Sequence, residues 1–537
     1  MGKRSRLYII GIDGATFNIV SPMVERGELP NIGSVMAQGA WAPLKSTVPA
    51  FSPVAWSSII TGVNPGRHGI ADAFIHHPDY HMSFANSTYR KNEPIWSIVN
   101  SMGVKTGVMN VPLTYPPEHV GGFMITGMFT PESADDFTWP LELRGDLQKR
   151  FGKYRFEAVQ GENLERVIKT TYESIEQKDA VLDYLLAKDD PDFLFMVYVE
   201  TDRIQHQFWK FIDEKNTTVN DADRRRYGSM IGDVYKKLDG SIGKIARRMG
   251  PEDTLIIVSD HGFGPLRTAF SLGAWLEENG YITYADNPAK SAAPSKISSI
   301  IQRIKRKALG IAPDKDEQIN RFFGGVDWAN TKAFTEGAAG GVFINVKGRQ
   351  KTGTVEPGAE YERVRGELIA KLLEIKDPAN GEKVIESAQK REEIYHSPDG
   401  LEGIPDLVVV CKMGYHTISP SEAAYYRMEN TGMFFAHRWS GRHDDYGVLM
   451  MRGPKVKKGV KLSGADVMDV TPTALHLMGL PVSNEFDGKV LSEAIEGAPV
   501  ESPAGEYAIS KTGSAKDFSE DEAEQIRQKM IELGYLE

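Results

Sequence analysis

Cysteine is almost absent from this chain of 537 residues, in which Cys411 is the only one. A single thiol cannot form an intramolecular disulfide, so a disulfide framework is excluded. A metal site built from a cluster of cysteines is excluded for the same reason. Any metal ion held by this chain must therefore take its ligands from Asp, Glu or His side chains.

Long apolar runs and an excess of positive charge are lacking as well. Lys plus Arg number 63 against 73 Asp plus Glu, so no basic field exists to attract a nucleic-acid polymer. No stretch approaches the roughly 20 apolar residues of a membrane-spanning helix. The apolar run Leu7 to Ile10 after the basic start is too short for a signal peptide. These absences predict a soluble, cytoplasmic protein.

The sequence does contain short, strongly apolar runs that are typical of buried strands. Several are followed by side chains that bind metal ions: Asp13, Asp202 with His206, and Asp260 with His261, while His443 lies in a glycine-flanked loop before another such run. Each has an ordinary alternative when taken alone. An Asp at a strand end is commonly a turn former, and a loop histidine is usually a surface residue.

A doubly wound sheet would bring these positions together, because its parallel strands end along one edge. The spacing of four between Asp202 and His206 places both on one face of a helix. The number of ligands fits two metal ions that share one site. The pattern therefore favours an α/β protein with a largely parallel sheet flanked by helices.

Ser52 begins a segment with helix signals at both ends. It reads as an N-cap with Pro53 at the first helical position, and Thr61 with Gly62 marks the exit. Free backbone N–H groups and the helix dipole converge at such a start and suit an anion. The plain alternative is an ordinary N-cap worth about 1 kcal/mol.

Four motifs together resemble a known family. They are the segment Gly11 to Phe17, the Ser52 helix with His68-Gly69-Ile70 beyond it, Ser259 to Gly262, and Gly441-Arg442-His443. Their order resembles the alkaline phosphatase superfamily, in its type I phosphodiesterase and nucleotide pyrophosphatase branch, from about residue 7 to 490. The resemblance implies that superfamily's doubly wound fold with an inserted cap subdomain.

The resemblance also implies roles for the candidate residues. One zinc ion would be held by Asp202, His206 and His443. The second zinc ion would be held by Asp13, Asp260 and His261, and this second ion would also bind the nucleophile Ser52. A metal-activated Ser52 would attack phosphorus in line and form a phosphoserine that water then hydrolyses. Two divalent ions are expected as cofactors, zinc first, with manganese or iron as alternatives.

Two departures from the family bear on the substrate. The phosphodiesterases of this branch usually have threonine where Ser52 stands, and serine is the alkaline phosphatase choice. An asparagine common after the His-Gly-Ile motif is replaced here by alanine, in Ile70 to Ala73. Arg90, Lys91 and His437 are candidates for the missing phosphoryl donor. The sulfatase branch is disfavoured, because no arginine follows Ser52 in that branch's pattern.

The leading hypothesis is a two-metal hydrolase that cleaves a phosphodiester or pyrophosphate bond of a small molecule. A phosphomonoesterase or a mutase-like phosphoryl transfer enzyme is the second possibility. A non-catalytic, metal-dependent phosphate-ester-binding protein is the third.

The predicted division places the catalytic core at residues 1–265 and 434–500 and an insertion or cap, partly completing the core, at 266–433. A tail with a docked helix follows at 501–537. A basic amphipathic helix at 295–307 is expected in the insertion, as a solvated face rather than a membrane-binding or anion-binding one.

Overall fold

The computed structural model describes residues 5–284, 325–336, 340–397, 400–418, 432–497 and 515–532. The basic helix expected at 295–307 lies outside these ranges. Among the described helices, none combines the length and the apolar character that a bilayer crossing requires.

Twenty strands occur in the described ranges. In chain order they are β1 (Leu7–Ile12), β2 (Ala40–Lys45), β3 (Phe74–His76), β4 (Met82–Phe84), β5 (Thr106–Met109), β6 (Phe123–Ile125), β7 (Thr138–Trp139), β8 (Phe193–Tyr198), β9 (Thr254–Val258), β10 (Gly262–Ser271), β11 (Ala333–Thr335), β12 (Gly341–Ile344), β13 (Ile385–Lys390), β14 (Leu407–Cys411), β15 (Gly414–Ile418), β16 (Phe434–Phe435), β17 (Gly441–Asp444), β18 (Tyr446–Arg452), β19 (Val460–Lys461) and β20 (Ala465–Asp466).

The helices of the described ranges surround these strands. They are α1 (Phe17–Glu25), α2 (Pro30–Gln38), α3 (Ser52–Thr61), α4 (Pro65–His68), α5 (Ile95–Ser101), α6 (Leu143–Phe151), α7 (Leu164–Lys188), α8 (Glu200–Ile212), α9 (Asp221–Tyr227), α10 (Met230–Arg248), α11 (Leu272–Glu278), α12 (Ala359–Leu372), α13 (Arg391–Ile394), α14 (Val470–Leu477) and α15 (Glu520–Glu532), with a 3₁₀ turn at Val467–Asp469 before α14.

Ten strands form one central sheet in the order β19-β2-β18-β9-β1-β8-β5-β6-β7, with β20 beside β2. The five strands from β9 to β6 in this order are parallel to one another. Strand β18 runs antiparallel to both β2 and β9, and β7 runs antiparallel to β6. The expected α/β class with a mostly parallel sheet flanked by helices is confirmed.

Both faces of the central sheet are covered, which explains why its middle strands are apolar at nearly every position. In β1, Tyr8 and Ile10 belong to the core cluster that contains residues of α7 and α10. Leu7 and Ile9 point the other way, into the cluster with residues of α3 and α14. The alternation of a strand thus serves two separate cores.

A second set of strands, which we call the second layer, comprises β10 to β17 and lies in the sequence between strands β9 and β18 of the central sheet. Strand β10 is the middle of a small sheet in which it pairs with β15, β16 and β17, and a four-stranded antiparallel sheet has the order β11-β12-β14-β13. Helix α12 buries Val364 and Leu368 in the same core as these strands. Strand β10 crosses the predicted boundary after residue 265, and the division into core, cap and tail stays a prediction.

Candidate functional site

The candidate ligands lie at the carboxyl ends of the parallel strands. Asp13 follows β1, and Asp260 and His261 follow β9. Asp202 and His206 lie in the first two turns of α8, which begins two residues after β8. Neighbouring parallel strands end at one edge of a sheet, so ligands that are far apart in sequence meet there.

The first group is formed by Asp202, His206 and His443. Asp202 Oδ1 is 3.3 Å from His206 Nε2 and 3.1 Å from His443 Nε2. The two imidazole nitrogens are 3.2 Å apart. Three ligand atoms on two chain segments therefore converge on one point.

His443 reaches this group from an element that the sequence did not indicate. It lies in the short strand β17 and not in a loop, paired with Phe263 of β10. Four residues between glycine-rich turns give too little pattern to predict a strand, and the pairing with β10 is a long-range contact.

The second group is formed by Asp13, Asp260 and His261, all of them fully buried. His261 Nε2 is 3.6 Å from Asp13 Oδ1 and 3.2 Å from Asp260 Oδ2. The His261 ring stacks on the His443 ring with centroids 3.7 Å apart. The two groups are therefore immediate neighbours.

Ser52 lies against the second group. Its Oγ is 3.0 Å from His261 Nε2 and 3.5 Å from Asp13 Oδ1. The side chain is almost completely buried, at 1 % exposure. A hydroxyl held between a carboxylate and an imidazole is well placed to lose its proton to a neighbouring group.

The start of α3 differs from the sequence interpretation by one residue. Phe51 is the N-cap in extended conformation, and Ser52 is the first helical residue. Pro53 has no N–H, and the amides of Val54 and Ala55 both donate to the Phe51 carbonyl. The expected set of free backbone donors at this helix start is therefore wrong for these three residues.

Backbone carbonyls orient all three imidazoles. Nδ1 of His206 is 2.8 Å from the Gly441 oxygen, and Nδ1 of His443 is 3.0 Å from the Ala50 oxygen. Nδ1 of His261 lies 2.9 Å from the Gly262 oxygen. Each Nδ1 is consequently the protonated donor, and each Nε2 directs a lone pair into the site.

Burial shifts the protonation of these groups. It raises the pKa of Asp13 well above its usual range, and together with the charge of Asp202 it raises the pKa of Asp260 to about 8. Burial and the neighbouring His443 lower the pKa of His261 to about 4. The acids and the imidazole both resist ionisation here, because charge is costly in a buried site.

Asp202 behaves differently from the other two acids. Burial by itself would raise its pKa, but the adjacent imidazoles of His206 and His443 and the charge of Arg203 hold the pKa well below its usual range. Arg203 Nη1 also donates to Asp202 Oδ2 over 3.0 Å. This carboxylate is ionised and held in place.

Other contacts around the ligands had no signal in the sequence. Trp56 Nε1 donates to Asp13 Oδ2 over 2.9 Å, and the Gly14 amide donates to Asp260 Oδ1 over 3.2 Å. Tryptophan inside an apolar helix indicates packing and not a hydrogen bond to a carboxylate. These donors fix the orientation of their carboxylates, as partners behind metal ligands commonly do.

The donor set fits divalent cations. Two Nε2 atoms that both carry lone pairs face each other in the first group, an arrangement that a hydrogen bond cannot satisfy. In the second group, Asp260 Oδ2 is buried without a hydrogen-bond partner among the described residues. Imidazole and carboxylate ligands suit zinc, manganese or iron.

A cavity lies beside His206 and His443, between the segment that precedes α3 and the strands of the second layer. Its walls are mainly apolar and come from both: Pro49, Ala50, Phe51, Leu266, Val409, Val410, Cys411 and Trp439, with the polar His416, Thr417, Arg442 and Asp445. The lining from β14 and β15 had no sequence signal, because their residues are typical of core strands.

The structure gives the three candidate phosphoryl donors other contacts. Arg90 is buried and paired with Glu118 over 2.7 Å, and its substrate role stays a prediction. The Lys91 side chain lies along Gly69. His437 Nδ1 accepts a hydrogen bond from the Trp439 amide over 3.0 Å. A substrate role for Lys91 or His437 stays a prediction, as does the cytoplasmic location.

The motif histidine His68 is part of the scaffold. Its Nε2 is 2.9 Å from Ser58 Oγ, and its Nδ1 accepts a hydrogen bond from the Ile70 amide. Burial, together with the nearby Arg90, lowers its pKa to about 3. A neutral His68 thus ties α4 to α3.

Comparisons with solved structures show the fold. Murine ectonucleotide pyrophosphatase/phosphodiesterase 5 is 13 % identical with a TM-score of 0.50, over 89 % of this chain and 96 % of the murine chain. Its human counterpart is 14 % identical with a TM-score of 0.50, over 92 % and 100 %. An inactive threonine-to-alanine variant of the murine protein, in complex with AMP, gives the same values as the first.

Comparisons of sequence show the family. Human ectonucleotide pyrophosphatase/phosphodiesterase family member 1 is 24 % identical over 265 residues, which are 45 % of this chain and only 22 % of the human protein. The family described as type I phosphodiesterase / nucleotide pyrophosphatase matches residues 7–437, which is most of the chain. The chain belongs to this family of phosphodiesterase and pyrophosphatase hydrolases, a branch of the alkaline phosphatase superfamily.

Proposed function

We propose that this protein is a two-metal phosphoesterase that cleaves a phosphodiester or pyrophosphate bond of a small molecule through a phosphoserine on Ser52. One observation carries the proposal: a buried serine hydroxyl lies 3.0 Å from an imidazole of one three-residue ligand group, and a second such group is stacked against that imidazole. Family membership supports the reaction class.

The ligand groups have separate tasks in this proposal. Asp13, Asp260 and His261 would hold the ion next to Ser52, and the other group would hold the second ion. Bound divalent ions supply Lewis acidity, which lowers the pKa of a hydroxyl or a water and offsets the charge of the phosphoryl group.

The chain's own residues hold the nucleophile in place. Ser52 Oγ lies 3.0 Å from His261 Nε2, the atom that would bind the ion because His261 Nδ1 donates to the Gly262 carbonyl. Asp13, whose Oδ1 lies 3.5 Å from the hydroxyl, is fixed by Trp56. Ser52 would attack phosphorus from this position, and water would release the phosphoryl group in a second step.

The cavity suggests the kind of ester. Apolar walls from Phe51, Leu266 and Trp439 suit the organic part of a substrate whose phosphoryl group lies at the ligand groups. Nucleotide esters are the first class to test, because a related fold has been solved with AMP. Serine as nucleophile keeps monoesters as the second candidate.

The test measures hydrolysis by purified protein loaded with Zn²⁺ or Mn²⁺. A bis-aryl phosphate, a mono-aryl phosphate and a dinucleotide joined by a pyrophosphate separate the reaction classes. We expect the diester or the pyrophosphate to be cleaved fastest. Metal-loaded, folded protein that cleaves none of the three would refute the proposal and favour a binding protein.

Ser52→Ala should abolish turnover and leave both ions bound. Ser57→Ala is the matched control, since Ser57 lies on the same helix, is equally buried, and donates only to the Pro53 carbonyl. Mass spectrometry of rapidly quenched enzyme should find one phosphoryl group on the peptide that contains Ser52. A phosphoryl group on another residue would overturn the assignment of the nucleophile.

A further inference from the structure

We propose that Lys529, in the C-terminal helix α15, is a positioning residue for the Asp202–His206–His443 ion site. This inference rests on the proposed function, since it presumes that the group holds a divalent ion. It adds a residue that lies outside the matched family segment, which ends at residue 437.

A row of ion pairs joins Lys529 to the ligand group. Lys529 Nζ is 2.9 Å from Glu157 Oε1, and Glu157 Oε2 is 2.9 Å from Arg203 Nη2. The other end of the same guanidinium, Nη1, donates to Asp202 Oδ2 over 3.0 Å. Three successive contacts thus connect helix α15 to the carboxylate of Asp202, a member of the ligand group.

The row is shielded from water. The exposed fractions are 9 % for the Lys529 side chain, 3 % for Glu157, 1 % for Arg203 and 2 % for Asp202. Interactions between charges are screened weakly in such surroundings. The charges alternate in sign along the row. Glu157 therefore lies between two cations, and Arg203 lies between two carboxylates.

Glu157 is the member that depends most on Lys529. Burial would raise its pKa, but Lys529 and Arg203 hold the pKa below its usual range. Lys529 also approaches the half-exposed Glu132, at 3.6 Å, a pair that adds little because water competes for it. The buried contact with Glu157 is therefore the one that matters.

Apolar packing delivers Lys529 to this position. Ile526 and Met530, on the same helix, are buried in the large core of the second layer. Tyr115 donates to Glu522 over 3.0 Å, and Arg438 donates to the Ile531 carbonyl over 2.7 Å. Since the helix is held at several points, Lys529 is presented to Glu157 in one orientation.

Removal of Lys529 would leave Glu157 with excess buried charge. Among the described residues, Arg203 is the cation that would stay paired with Glu157, while Lys178 acts on that carboxylate through its charge. The guanidinium of Arg203 would turn both Nη atoms toward Glu157. Asp202 Oδ2 would then lose its donor, and Asp202 would lose the contact that fixes its orientation. Loss of such partners behind a metal ligand typically weakens metal binding about 10–100-fold.

The experiment measures Zn²⁺ binding to the full chain by competition with a chromophoric chelator. We expect Lys529→Met to lower the affinity for one of the two bound ions about tenfold. This is the lower end of the usual range for residues that hold a metal ligand in place. The other ion should bind as in wild type, which shows that the core is folded. His443→Ala identifies which ion belongs to the affected group.

Three further variants separate positioning from general damage. Lys529→Arg keeps the charge and should restore binding. Arg527→Met is the matched control, because Arg527 lies on the same helix and pairs with Glu524 at 3.3 Å. The double variant Lys529→Met with Glu157→Gln removes one charge of each sign, so Arg203 should return to Asp202 and binding should recover.

Each outcome decides the inference. Two ions in wild type with unchanged affinities in Lys529→Met would overturn it and leave the proposed function intact. Equal weakening of both ions, or the same weakening in Arg527→Met, would show that the helix acts only on overall stability and would also overturn it. A wild-type chain that binds no ion would refute the proposed function together with this inference.

Discussion

Gly11 lies where the central sheet supports the candidate site. It is buried in β1, between Val197 of β8 and Val258 of β9. A Cβ added here would overlap the Trp56 ring and come within 2.8 Å of Val197 Cγ2. We therefore expect Gly11→Ala to displace Trp56 and with it the hydrogen bond to Asp13.

Two effects of Gly11→Ala lower the free energy of unfolding. Overpacking of a core usually destabilises a protein by about 1–3 kcal/mol. Loss of a buried hydrogen bond, here the 2.9 Å bond from Trp56 to Asp13, adds about 0.5–1.5 kcal/mol, since burial keeps this acid from ionising. The expected loss is therefore about 1.5–4.5 kcal/mol in the free energy of unfolding, with weaker binding of the ion next to Ser52.

Urea denaturation followed by tryptophan fluorescence measures the stability, and chelator competition measures the ion. Gly240→Ala is the matched control, because Gly240 is exposed in α10 and an added Cβ meets no atom within 4 Å. It should stabilise the chain by about 0.5–1 kcal/mol. Wild-type stability and wild-type metal binding in Gly11→Ala would refute the expectation that an added Cβ displaces Trp56 from Asp13.

Two other predictions concern single histidines. His443→Ala should release one ion and retain the other, because the group of Asp13, Asp260 and His261 is complete without it. Metal analysis after dialysis against a weak chelator tests this. Loss of both ions would contradict separate sites. His68→Gln should reduce the acid sensitivity of folding, because burial and Arg90 lower the pKa of His68 in the folded protein to about 3. The contribution of neutral His68 to stability is therefore present above the unfolded pKa of roughly 6.5 and is lost as pH falls toward 3. Unfolding midpoints between pH 7 and pH 4 test this, and parallel curves for wild type and variant would contradict it.

The central sheet was predictable because its signal is local. Strands β1, β8 and β9 are buried on both faces, so their sequences are apolar at nearly every position. The residues that follow them necessarily lie at the carboxyl edge, which is why Asp13 and Asp260 were found. The pair Asp202 and His206 was indicated by its place after another such apolar run together with its helical spacing of four.

The rest of the site depends on contacts between distant segments. His443 lies in a strand because β10 offers it a partner, and nothing in its own neighbourhood indicates that pairing. Trp56 and Arg203 carry no sequence signal for a place beside the ligands, although both donate to ligand carboxylates. The helix start moved by one residue because the Phe51 carbonyl accepts the first hydrogen bonds.

The wide separation of the ligands along the chain has a consequence for protein synthesis. The group next to Ser52 is complete once residue 261 has left the ribosome, whereas the other group waits for His443. Metal binding and folding are coupled when the ligands come from different segments. A nascent chain that ends between residues 261 and 443 therefore contains every ligand of one group and lacks a ligand of the other.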